Sequence, residues 1–176
     1  MKLKLTFLIA GLLIVLAACN TSGASSTENE LEALKENHPE IKSELEKLPE
    51  EFRNEITVPD LDAIPLDIRT IEGEAGTELT PHTMDIYYQD GKKQLNLWIK
   101  DQKDIGVSMG SEPNQQLSND IDGYYKENDG ILELMWLSKN ENALFSIQGV
   151  VAPGEESPFN EENMVEIANS IIQQRN

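Results

Sequence analysis

Few side chains in this chain stand at spacings that do chemistry. Its 176 residues hold one cysteine, Cys19, and two histidines, His38 and His82. A lone cysteine has no internal disulfide partner, so Cys19 is either an idle thiol or a site of modification. Two distant histidines and one cysteine supply no zinc ligand cluster. Gly106-Val107-Ser108-Met109-Gly110 matches the Gly-x-Ser-x-Gly elbow of serine hydrolases. That elbow needs a strand before the serine, a helix after it and a histidine later in the chain. Here both histidines precede the serine, and Ser111-Glu112-Pro113-Asn114 is a poor helix core. A glycine-flanked turn or edge strand explains the pattern better, and a serine hydrolase is kept only as a weak alternative. Ser118 to Asp129 echoes a calcium loop, with Asp120, Asp122 and Gly123 near the right positions. Ser118 stands where the first aspartate belongs and Asp129 where the closing glutamate belongs, so a solvated turn is expected. No phosphate-cradling glycine loop is present. No catalytic residue, metal ligand or cofactor is therefore expected.

The N-terminus gives Cys19 its meaning. Lys2 and Lys4 are followed by an apolar run from Leu5 to Val15, broken only by Thr6, and then by Leu16-Ala17-Ala18-Cys19. A charged start, a short apolar stretch and small residues before the cut describe a secretory signal. The run is shorter than the ~20 apolar residues that span a hydrocarbon core. Leu-Ala-Ala-Cys resembles a bacterial lipobox. The resemblance implies cleavage between Ala18 and Cys19, diacylglyceryl transfer to the Cys19 thiol, and a palmitate-type lipid anchor on the extracytoplasmic face of the cell membrane. The export route permits disulfides, yet none can form, so packing alone must hold the domain together.

Composition narrows the partners. There are 32 acidic against 14 basic residues, a formal net charge of −18, and removal of residues 1–18 takes away two lysines and no acid. Such a chain is repelled by nucleic acid and by anionic headgroups, so no nucleic-acid partner is expected and membrane attachment rests on the lipid. The charge permits a cationic partner without requiring one.

The elements that would carry a site follow from periodicity. Residues 20–27 are small and polar and read as a tether that reaches at most about 27 Å. Thr27 and Glu30 fit a capping box, and Leu31, Leu34, His38, Ile41, Leu45, Leu48 and Phe52 form one stripe at helical spacing. Pro39 splits that stripe into two expected helices. It is read as packing on its own domain or forming a stalk, rather than as a partner-binding helix. Beyond residue 52 the period falls to two. Strands are expected at Glu55–Val58, over Leu66, Ile68 and Thr70, and on both sides of Asp90-Gly91, a hairpin signal. A short strand over Ile105–Met109 is possible. Further strands are expected near Tyr124-Tyr125, over Ile131–Leu137 and over Ala143–Val151. A final helix from about Asn160 to Gln173 has Asn160 as its cap and Met164, Ile167, Ala168 and Ile171 as its apolar face. Trp98, Trp136, Tyr87, Tyr88, Tyr124, Tyr125 and Phe145 all fall on expected strands. Sheet core explains them more simply than a cleft for acyl chains or a partner strand.

Gly123-Tyr124-Tyr125, Leu132-Glu133-Leu134-Met135-Trp136, Ala143 to Gly149 and Glu166-Ile167-Ala168-Asn169-Ser170-Ile171 together resemble a domain of unknown function found in Gram-positive envelope proteins. The likeness covers roughly residues 52 to 174. It implies a sheet-and-helix shape distantly similar to the periplasmic lipoprotein carriers and the sigma-E regulator, and it transfers no catalytic residues. The chain is thus expected to comprise a signal peptide (1–18), lipidated cysteine and tether (19–27), helical segment (28–51) and α+β domain (52–176). In that domain an antiparallel meander carries a C-terminal helix. The expected function is a non-enzymatic binding or sensing module for an envelope protein partner. The alternative is a lipid or lipoprotein carrier with an apolar groove.

Overall fold

The structure, a computed structural model, describes residues 30–77, 80, 82–102, 109 and 112–174. Three short helices open it: α1 (Glu30–Asn37), α2 (Pro39–Glu46) and α3 (Glu50–Arg53). Two prolines make three pieces of the single apolar stripe. Pro39 starts α2 at its first turn, and Pro49, with no amide to donate, stands immediately before α3. Seven strands follow: β1 (Thr70–Ala75), β2 (Thr83–Gln89), β3 (Lys93–Asp101), β4 (Gln115–Gln116), β5 (Asp122–Asn128), β6 (Ile131–Leu137) and β7 (Ala143–Val151). Helix α4 (Glu161–Gln173) closes the chain, with the Asn160 and Asn163 side chains capping each other's backbone amides. All strand pairs are antiparallel, in the order β1-β2-β3-β7-β6-β5-β4, so the fold is α+β as the periodicity predicts. The β2–β3 hairpin turns at Asp90-Gly91, where Gly91 has φ +95°.

One expected strand is absent and another is shifted along the chain. Glu55–Val58 is a turn and connector, because its first amides bond back to α3, from Glu55 to the Phe52 carbonyl and from Ile56 to the Arg53 carbonyl, and its last carbonyl is taken by the residue that caps α4. Gln174 Nε2 donates to the Val58 carbonyl at 2.8 Å, and the Asp60 amide donates to Ser170 Oγ at 3.2 Å. The strand expected over Leu66 to Thr70 begins only at Thr70, next to the first cross-strand bond from the Arg69 amide to the Gln89 carbonyl. Its apolar positions are Ile71, Gly73 and Ala75, too small to read as a hydrophobic alternation. The reason lies across the layer. A Cβ on Gly73 would sit 3.0 Å from Ile41 Cγ1, so α2 needs that gap.

The pleat sorts the sheet into two faces. Register places Ile71, Tyr88, Leu95, Gly149 and Leu132 in one row and Ala75, Met84, Ile99, Phe145 and Trp136 in another, all on one face. The helices cover this face. Leu31, Leu34, Ile41, Leu45, Leu48 and Phe52 join the same buried cluster as the strands and as Met164, Ile167, Ala168 and Ile171 of α4. The helical segment therefore packs on the domain and is not a stalk. Phe159 fills the hollow over Gly149, where a Cβ would meet its ring at 2.6 Å.

Candidate functional site

With the helices on one face, the other is where the sheet can meet something else. Its rows follow from the same register. One runs Glu72, Tyr87, Asn96, Gln148, Glu133, Lys126, and the next runs Glu74, Asp85, Trp98, Ser146, Met135, Tyr124. The seven strand aromatics are thus divided. Trp136, Tyr88 and Phe145 are core, with the Trp136 and Phe145 rings stacked at 5.4 Å, Tyr125 packs half-buried at the margin of that core, and Tyr87, Trp98 and Tyr124 stand half-buried on the outer face. Periodicity alone placed all seven on strands but not on faces.

Charge divides the outer face into two parts. On β5, β6 and β7, Glu133 is fully provided for. Lys126 Nζ lies 2.5 Å from it, and Gln148 Nε2 and Ser146 Oγ each donate at 2.9 Å. Burial pushes this carboxyl up, but those three donors together hold it below the usual carboxylate range. On β1 and β2 the opposite holds. Glu74 and Asp85 are directly opposed across the strand pair, and Glu72 stands two residues along from Glu74. Burial first, and the Glu74 charge second, push Asp85 up to about 6. Burial, Asp85 and Glu74 also push the Tyr87 hydroxyl up. Like charges placed directly opposite destabilise a sheet. The neighbouring cation, Lys100 Nζ, lies 5.4 Å from the Trp98 ring centroid.

Each sheet edge carries a feature that hinders strand addition. At β1, Glu44 Oε2 of α2 accepts from the Ala75 amide at 3.3 Å. At the other edge, β4 is two residues long, and beyond it the Asn114 side chain accepts from the Tyr125 amide and donates to the Tyr125 carbonyl, both at 2.8 Å. These are recognised ways of blocking strand addition. Leu144 is buried at the far end of the outer face. The acidic part of the accessible outer face is the tile formed by exposed Glu72 and Glu74 with half-buried Asp85, Tyr87 and Trp98.

One cleft stands apart from this face. It encloses about 270 Å³ between the β6–β7 turn and the end of α4, over Trp136, Phe145, Ile171 and Ile172. Sites for drug-sized ligands run from about 300 to 1,000 Å³, so it is small for an acyl chain.

Cys19, Ala18 and the elbow serine Ser108 lie outside the described residues, as do Thr27 and most of Ile105–Met109. The calcium-loop pattern is cut by β5, which starts at Asp122 and places Gly123 opposite Trp136 in the ladder. Asn119 and Asp120 are left-handed, with φ of 61° and 58°, a conformation that Asn and Asp tolerate best among non-glycine residues. Among the described residues no group of three or more His, Cys, Asp or Glu is placed to hold a metal ion. His38 lies 3.3 Å from Glu40, and His82 lies 3.6 Å from Asp101, in separate parts of the fold. Glu72, Glu74 and Asp85 gave no signal in a sequence rich in acids, and only strand pairing brings them together. No helix among the described residues is long and apolar enough to cross a membrane. No protein-family model, curated protein or solved structure matches this chain.

Proposed function

We propose that this chain is a lipid-anchored extracytoplasmic lipoprotein, acting as a non-enzymatic binding or sensing module for an envelope protein. The Leu16-Ala17-Ala18-Cys19 ending supports the anchor, and the Cys19 lipid would hold the module at the cell membrane. The observation that carries the binding role is the filled face of the sheet. Met84, Ile86, Leu97, Ile99, Leu134, Ile147, Met164, Ile167 and Ala168 are all fully buried between sheet and helices. Interiors are close-packed, and opening one for an acyl chain would cost several kcal/mol in lost contacts. A carrier would hold its helices away from the sheet and keep an apolar groove.

Native mass spectrometry on residues 20–176, purified without detergent, tests the reading. A bare protein mass is the expected result. A stoichiometric fatty acid or phospholipid would replace the binding module with the carrier.

A further inference from the structure

We infer that the pocket between α1, the connector over residues 58–61 and the β1–β2 pair binds a short alkylammonium group, the chemistry shared by a lysine side chain and a small aliphatic amine. The site goes beyond the protein-partner role and would stand even if lipid co-purified.

Tyr88 of β2 is fully buried, and its hydroxyl has no hydrogen-bond partner among the described residues. Leaving a buried hydroxyl unpaired is costly, so such a group marks a place where a partner can arrive. Tyr88 lines a pocket of about 50 Å³ together with Glu30, Leu34, Val58, Leu61 and Ile71. Burial first and the Glu30 charge second push this hydroxyl above its ordinary range, so it stays neutral and able to accept a hydrogen bond. Glu30 is half-buried in the first turn of α1. Burial, then the charges of Asp60 and Asp62, push its carboxyl up. Three negative charges therefore bear on the pocket, and no lysine or arginine lines it. The other polar groups of the lining are engaged: the His38 ring lies 3.3 Å from Glu40, and the Asn37 amide donates to the Ala33 carbonyl at 3.0 Å. What remains for a ligand is the Tyr88 hydroxyl and the Glu30 carboxylate. An anionic ligand is repelled there, whereas an ammonium is attracted and has donors for both oxygens. Leu34, Val58, Leu61 and Ile71 offer apolar walls to its methylene stem. Size agrees with that choice. One water needs about 10–15 Å³ of such space, so a pocket of about 50 Å³ holds roughly three to five heavy atoms. That is the ammonium and last methylenes of a lysine, and too little for an acyl chain.

The probe is n-propylamine, protonated near neutral pH, compared with n-propanol, which has the same number of heavy atoms and no charge. Amide shifts of Leu34, Ile71 and Tyr88 are followed by proton–nitrogen correlation NMR on the full-length protein in mild detergent. Ionic strength is held constant, and the titration runs to about 50 mM, since so small a ligand binds at best near about 0.05 mM. Saturable shifts with propylamine are expected, with propanol weaker by about tenfold or more. Glu30→Gln should weaken propylamine by about tenfold, Tyr88→Phe by about fivefold, and Glu36→Gln, an exposed α1 position, by less than about twofold. Tyr88→Phe keeps the ring, and loss of an unpaired buried hydroxyl should leave Tm unchanged or raised, so weaker binding there is not loss of fold. Absence of a saturable shift would reduce the pocket to a site for water and overturn the proposal. So would propanol binding as well as propylamine, Tyr88→Phe binding like wild type, or an equal loss in Glu36→Gln. A second titration, with the blocked tripeptide N-acetyl-Ala-Lys-Ala-amide, distinguishes the two sources. Tighter binding than propylamine assigns the pocket to a lysine of a protein partner, and weaker binding assigns it to a free amine.

Discussion

Asp85→Asn is expected to stabilise the protein at neutral pH and to do nothing at acid pH. In the folded chain, burial and the Glu74 charge raise this carboxyl from its ordinary 3.8 to about 6. Folding therefore disfavours the ionised form. Between those two pH values the folded chain binds more protons than the unfolded chain, so stability falls as pH rises across the window. Below 3.8 no cost is present, and above 6 it is present in full. The displacement corresponds to at most about 3 kcal/mol, at about 1.36 kcal/mol per pH unit. Water reaches this half-buried side chain, and screening lowers the figure to about 1–1.5 kcal/mol. Asparagine keeps the shape and cannot ionise. For a domain of this size the gain amounts to roughly 3–6 °C in Tm. Thermal unfolding of wild type and variant, both beginning at residue 20, is followed by circular dichroism near pH 7.5, 5 and 3.5. The variant should lead at pH 7.5, lead by less at pH 5 and match wild type at pH 3.5. The remaining carboxylates titrate alike in both proteins and largely cancel from the difference. Equal Tm values at pH 7.5 would refute the reasoning, since no charge cost would then exist at Asp85. A gap that persists undiminished at pH 3.5 would refute it too, because it would point to packing.

Two further outcomes follow from the anchor and from the helical layer. Cys19→Ser should move the protein out of the membrane fraction. A variant still bound after a high-salt wash would remove the basis for lipidation, because stable anchoring requires about two acyl chains or signals. A chain beginning at Glu50 should lose its sigmoidal thermal transition, since it lacks Leu31, Leu34, Ile41, Leu45 and Leu48, all buried against the sheet. Five such side chains contribute about 1.5–3 kcal/mol each before entropy is counted, comparable to the ~5–15 kcal/mol that stabilises a whole domain. An unchanged transition would show that the sheet and α4 form a sufficient core.

The elements readable in advance were those whose signal is local. Asp90-Gly91 marks a turn because only a few residues accept positive φ, and the runs over Ile131–Leu137 and Ala143–Val151 are strongly apolar. Asn160 announces α4 because a side-chain oxygen satisfies an amide three residues on. The two prolines that segment the first stripe act through their own missing amides, although the break at Pro49 was not expected. Cys19 and the apolar run before it are likewise a property of adjacent residues. By itself, then, the sequence determined the α+β class, the main hairpins and the last helix, and it carries the whole basis for proposing the anchor.

Tertiary structure decided the rest. β1 was obscure because Gly73 and Ala75 make way for α2, a constraint set more than thirty residues upstream. Glu55–Val58 alternates like a strand, yet the Glu55 and Ile56 amides close the turn after α3 and the Val58 carbonyl is taken by Gln174, more than a hundred residues downstream. The candidate site was hidden for the same reason. Glu74 and Asp85 are eleven residues apart in a chain crowded with acids, and nothing local distinguishes them from Glu133. Strand pairing sets the first two against each other and gives the third a lysine, a glutamine and a serine. Which carboxylate is satisfied and which is left facing another is a property of register, because cross-strand neighbours lie far apart in sequence and within a few ångströms in space.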